Sequence, residues 1–263
     1  MTRKQIKLKR SEVYFIPWKI LTSVTAKDES GNLMRWATYA SVAVAFILIV
    51  IKMIAYVFTG SVAILSSLID SFLDLIASAI NLFAVKHSLV PADHDHRYGH
   101  GKAEAIAGLV QATFITGSSI FLIFAAVNRF YHQQPIENGT VGIIVMVITI
   151  ILTGLLVKFQ RYVVKKTGSI AITADSLHYV GDLLLNLSVI VALILSIYLD
   201  WQMADPVFAL LIAAFILKSA WDIIKQSLVQ LMDQELPDGL REEIKKIALQ
   251  HPGVLNLHEL RTR

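Results

Sequence analysis

Six long apolar runs, at 36–58, 61–88, 104–130, 138–160, 170–199 and 204–226, dominate this chain of 263 residues. Roughly 20 residues cross the hydrocarbon core of a bilayer, so each run is long enough to span it, some with tilt. Backbone N–H and C=O groups in lipid must bond one another, so all six are expected to be helices. The composition agrees: 55% of the residues are hydrophobic and the mean hydropathy is +0.60. A soluble domain of this length does not need that much apolar content. Only Thr59-Gly60 separates the first two runs, which forces a tight antiparallel hairpin.

The charged residues punctuate these runs. The net charge is +4, but the basic residues bracket the apolar segments instead of forming one patch, which speaks against nucleic-acid binding. The tail holds Arg3, Lys4, Lys7, Lys9 and Arg10, the 89–103 loop Arg97 and Lys102, and the 158–169 loop Lys158, Arg161, Lys165 and Lys166. The opposite loops, near 59–60, 128–137 and 200–203, offer only Arg129. Basic loops stay inside, so both termini are expected in the cytoplasm and the chain in the inner (plasma) membrane. A cleaved signal peptide is not expected, because the first apolar run begins only near Ala37. Lys52, near the outer end of the first run, is expected to snorkel to the interface.

These features divide the chain into a cytoplasmic segment at 1–33, a six-helix transmembrane domain at 34–228 and a partial cytoplasmic domain at 229–263. Residues 12–24 are aromatic-rich and fit an interfacial segment or a loosely ordered tail equally well. Leu236-Pro237-Asp238 reads as a helix start with Asp238 as cap, and Asp238–Gln250 as an amphipathic helix. Val254–Leu260 alternates like a strand. One helix and one strand cannot bury a core, so this reads as the opening of an α/β domain.

Two pairs of ionisable residues interrupt the spans. Asp70 and Asp74 lie in SSLIDSFLDLIAS, and His178 and Asp182 in ADSLHYVGDLLLN. Each pair is spaced i,i+4, which puts both side chains on one helical face. Ionisable groups in a membrane are costly and mark functional sites. At 1.5 Å per residue, Asp70 lies about 14 Å below the outer end of its span and His178 about 12 Å from the inner end of its own. The pairs therefore meet near mid-membrane. Three carboxylates and one imidazole form a ligand set suited to a tetrahedral ion. The competing reading is a polar network that joins helices, but paired Asp without a cation would repel. Asp175 is expected to cap its helix or line the access path. Asn186 and Ser67 lie on compatible faces, though such residues more often bond neighbouring helices.

The chain has no cysteine, so any metal site must use His and carboxylate. The loop PADHDHRYGHGKAE holds Asp93, His94, Asp95, His96 and His100 within eight positions. That density points to metal binding, and Gly99 and Gly101 permit the tight backbone it needs.

Together TGSVAILSSLIDSFLD, PADHDHRYGHGKAE, ADSLHYVGD and the LPD, HPGV and HELRTR tail resemble the cation diffusion facilitator family, in particular its bacterial zinc and ferrous-iron efflux branch. The resemblance runs from about Met34 to Arg263. It implies a homodimer of six-helix protomers with a cytoplasmic α/β domain. It assigns Asp70, Asp74, His178 and Asp182 to the transport site and Asp93, His96 and His100 to a second site in the loop. Lys102 and Asp233 match a charge interlock at the dimer junction. His258 matches the first ligand of a cytoplasmic metal cluster whose other ligands would follow Arg263.

The expected function is therefore efflux of a divalent transition metal, Zn²⁺ foremost with Fe²⁺ and Cd²⁺ as alternatives, in exchange for protons by alternating access. Zn²⁺ is expected as substrate and as a structural ion. Two other classes compete. A membrane metallo-enzyme would need an open metal position and a motif such as His-Glu-x-x-His, which is absent. A transport-inactive sensor or scaffold would be told apart by a flux assay.

Overall fold

The computed structural model describes residues 18–131, 140–199, 201, 203–251 and 253–262. Residues 12–17 of the aromatic-rich segment and 138–139 of the fourth apolar run lie outside them. Among the described residues the chain is all-helical: α1 (Trp18–Thr59), α2 (Val62–Ser88), α3 (Lys102–Tyr131), α4 (Thr140–Thr167), α5 (Ile170–Leu199), α6 (Ala204–Leu231) and α7 (Asp238–Leu249). Helices α1 to α6 each contain a stretch long and apolar enough to cross a membrane.

Local chemistry explains where the helices break. Gly60 adopts φ +62° and its N–H reaches Tyr56 O at 2.8 Å. Gly168 adopts φ +67° and its N–H reaches Val164 O at 2.8 Å. Left-handed geometry just past a helix end favours glycine, which has no Cβ to clash. After Gly168, the Ser169 hydroxyl accepts from Ile172 N–H at 3.2 Å and starts α5 as an N-cap. Both α2 and α5, the helices with the paired ionisable residues, thus begin directly after a glycine stop. At the other end of α2, Pro91 follows closely and disfavours further helix.

Two helices outrun their apolar content. Helix α1 begins at Trp18 and α4 runs to Thr167, so Lys158, Arg161, Lys165 and Lys166 are helical instead of looped. Internal backbone bonds carry both helices past the lipid boundary, α1 even through Gly31. Pro237 flanks α7 with φ −53° and ψ 144°, so Asp238 is its first residue and not its cap. The expected strand at 254–260 is absent from the described residues. Glu259 adopts φ +49°, which breaks an extended run.

Helix α1 packs on α2 and α4, α4 on α5, and α3 most extensively on α6. Lipid removes the hydrophobic drive between helices, so close fit must hold them. Small residues supply that fit: Ala112, Ala174 and Ala220 join α3, α5 and α6, and Ala37, Ala107 and Ala171 join α1, α3 and α5. Large side chains such as Phe46, Phe83 and Phe124 are exposed. Two ion pairs fasten the antiparallel α3–α6 pair: Lys102 Nζ to Asp233 Oδ2 at 2.8 Å at one end, and Arg129 to Asp205 at the other.

Gly108 marks where α3 meets α5 and α6. A Cβ there would lie 2.7 Å from Ile170 Cγ2 and 3.1 Å from Ser227 Oγ. Gly108→Ala is therefore expected to cost about 1–3 kcal/mol, read as a lowered Tm in detergent. Gly181→Ala should cost less, because the methyl it meets is the movable Ile216 Cδ1 at 2.9 Å. An unchanged Tm for Gly108→Ala would show that α3 can back away.

Candidate metal sites

Helices α2 and α5 bring their polar faces together inside the bundle. His178 Nε2 stands 2.8 Å from Asp74 Oδ1 and 3.6 Å from Asp182 Oδ2. One ligand atom from each of these three residues lies within 4.8 Å of the others, close enough to hold one metal ion. Asp70 stands outside that trio, one turn along α2, but lines the same cavity. Asn186 and Ser67 line it too, but their hydrogen bonds go to helix and lysine. The Asn186 amide donates to its own helix at Asp182 O, 2.8 Å away, and Ser67 presents its carbonyl to Lys52 at 3.1 Å.

The trio lies at the floor of a cavity of about 980 Å³. Its lining runs from Gln111 and Leu177 to Ala125, Gly142 and Val189, the half of the bundle nearer the Gly60 turn. The half nearer the 89–101 loop is filled by Met34, Ala37, Val85, Ala107, Val163 and Ile172. The cavity lining and this packed cluster thus fall in opposite halves of the bundle.

Asp175 lies at the seam between the two halves. It neither caps α5 nor lines the cavity: it is only 1% exposed. Ser41 Oγ donates to it at 2.6 Å, Gln160 Nε2 at 2.7 Å and Gln111 Nε2 at 3.1 Å. One carboxylate on α5 thereby ties α1, α3 and α4. Beside it Tyr179 OH meets Ser78 Oγ at 2.9 Å, which adds α2. Lys52 also departs from expectation. It is buried, with Nζ 2.7 Å from Ser71 Oγ, and does not snorkel.

The loop forms a second cluster from Asp93, His96 and His100, whose ligand atoms also fall within 4.8 Å of one another. Asp93 Oδ1 accepts the N–H of His96 at 2.6 Å and of Asp95 at 3.1 Å. Gly99, at φ +82°, closes the turn, and His100 is buried beneath it. His94 and Asp95 face solvent, 3.5 Å apart. His87, at the end of α2, packs its ring 4.5 Å from that of His100. It escaped the sequence reading because it lies outside the dense motif. His258 joins neither cluster among the described residues. Lys102 and Asp233 do pair, within one protomer.

Residues 38–232 match the cation efflux transmembrane domain. The chain belongs to the cation efflux family. It is 48% identical over 230 residues to the cation-efflux pump FieF of Shewanella oneidensis, covering 88% of this chain and 77% of that pump. The pump of the same name from Escherichia fergusonii is 45% identical over 233 residues, and that of Salmonella arizonae 46% over 233; each alignment covers 89% of this chain and 77% of the relative. The protein is a cation efflux transporter and a multi-pass protein of the inner membrane. Both side-chain clusters lie within the matched domain, and His258 lies beyond it.

The His96 backbone bond holds the Asp93 carboxyl below the usual carboxylate range, with desolvation opposing and the charges of His100 and His96 adding. A depressed value means that the ionised form is tied to the folded turn. Its contribution is present above about 3.9 and lost as pH falls through the lower folded value. Carbon-detected NMR in micelles should place the Asp93 midpoint below about 3.9. A midpoint at or above that value would mean that the turn does not persist in solution.

Proposed function

We propose that this transporter exports divalent transition metals, Zn²⁺ foremost, in exchange for protons by alternating access. The observation that carries the reading is His178 Nε2 between the carboxylates of Asp74 and Asp182 at a cavity floor. A proton on Nε2 and a metal ion compete for one lone pair, because an imidazole ligates only when that nitrogen is unprotonated. Loading metal therefore expels a proton, and a returning proton expels metal. Asp70, one turn along α2, is the proposed fourth ligand.

The basic loops argue for cytoplasmic termini, and then the cavity faces outward. In that orientation the layer from Met34 to Ile172 is the closed cytoplasmic gate. A rocking motion would open it and close the outer half, exposing the same ligands to the cytoplasm. An imidazole among carboxylates favours borderline ions such as Zn²⁺, Fe²⁺ and Cd²⁺ over hard ones. The Asp93, His96 and His100 cluster is proposed to hold a structural Zn²⁺. His258 is proposed as the first ligand of a cytoplasmic cluster, and the Lys102–Asp233 pair as the fastening at a homodimer junction.

In proteoliposomes, Asp74→Ala and Asp182→Ala should each reduce Zn²⁺ flux to background, and wild-type flux should rise with an opposing proton gradient. Wild-type flux in either variant would overturn the site assignment. A flux indifferent to the gradient would overturn the coupling. Replacing the imidazole by carboxylate, His178→Asp, should raise Mn²⁺ flux relative to Zn²⁺. An unchanged metal preference would remove His178 from selectivity.

A further inference from the structure

Lys52, on α1, lines the transport cavity. Its side chain is 8% exposed. Its ammonium donates to Ser71 Oγ at 2.7 Å and to Ser67 O at 3.1 Å. Both acceptors belong to the stretch of α2 that carries Asp70 and Asp74, and Lys52 lines one cavity with Asp70, Asp74, His178 and Asp182. A long side chain near a span end can reach the interface at little cost. This one turns inward, into the cavity that Asp70, Asp74 and Asp182 also line.

Charge counting gives that placement a meaning. A metal requires its carboxylates ionised and its imidazole neutral. Asp70, Asp74 and Asp182 then contribute three negative charges, and Lys52 returns one positive charge. We propose that Lys52 is a specificity-determining residue that fixes the cavity at two negative charges, so that a divalent cation neutralises it. This inference rests on the proposed transport site. A monovalent ion leaves the loaded cavity one charge short, and a trivalent ion leaves one in excess. Net charge at membrane depth is costly, so the loaded, neutral cavity is the one able to close and reopen. Without the lysine the divalent-loaded site stays anionic, holds its ion too tightly and releases it slowly. Lys52 does not touch the ion in this account: it acts through the field it adds and through its grip on the turn between the two Asp residues.

The test uses the full chain, with Zn²⁺ binding by calorimetry, Zn²⁺ flux in proteoliposomes, and Tb³⁺ binding by luminescence as the trivalent probe. Lys52→Met should lower the Zn²⁺ KM and Kd about tenfold or more, lower kcat in step, and create Tb³⁺ binding that Zn²⁺ competes away. Lys52→Arg should restore wild-type values. A Lys52→Met variant that loses kcat at unchanged Kd, with no gain in Tb³⁺ binding, would make the residue a structural prop and overturn the proposal. Lys52→Gln, which keeps a donor for Ser71 without the charge, gives the same readout if the methionine variant does not insert. The wild type supplies a check that needs no variant: Tb³⁺ bound more tightly than Zn²⁺ would also overturn it. Asp74→Ala separates the two readings. If that variant keeps flux and Zn²⁺ affinity, the transport site itself is misassigned, whatever Lys52→Met does.

Discussion

A carboxylate removed from water must be met by donors or by opposite charge, and much of this bundle is arranged around that demand. Asp175 is met by two glutamines and a serine from three other helices. Asp74 and Asp182 are met by a single imidazole. The difference between the two solutions separates scaffold from site. Around Asp175 three donors converge from three helices and bury the carboxylate, which keeps it from a passing ion. Around His178 one nitrogen serves two carboxylates, and the cavity leaves room beside it. The first arrangement locks helices together, and the second leaves room for the proposed cation.

The asymmetry of the bundle follows. On the loop side, small and branched side chains from five helices fill the interior. On the other side the helices part around the cavity. The packed and hollow halves meet at the level of Asp175 and His178, three residues apart on α5. A change in packing at that level would be felt by both halves, since Asp175 and His178 share one turn of α5.

The spans were legible because their signal is local: an apolar run bounded by Gly or by charge suffices to mark a helix. The i,i+4 pairs were legible for the same reason, since one helix carries each pair. What escaped required contacts distant in sequence. Asp175 has partners 134, 64 and 15 residues away, and nothing in ADSLHYVGD distinguishes a hub from a cap. The inward turn of Lys52 depends on two serines of the next helix. The absence of Asp70 from the trio depends on how α2 sits against α5, which spacing alone does not set. The strand reading at 254–260 failed because alternation describes a face and not a conformation, and Glu259 is left-handed.

The α3–α6 pair carries an ion pair at each end, Lys102 with Asp233 and Arg129 with Asp205. Each pair is partly exposed and worth little in stability. Their separation matters more than their strength. Two antiparallel rods pinned at both ends cannot slide along each other without breaking one pin, so they behave as a single lever. Helix α3 walls the cavity with Gln111, Ile115 and Ala125, while α6 reaches it with Ile216. A displacement at the 89–101 loop, where Lys102 begins α3, would therefore be shared by both helices and felt by the cavity residues they carry.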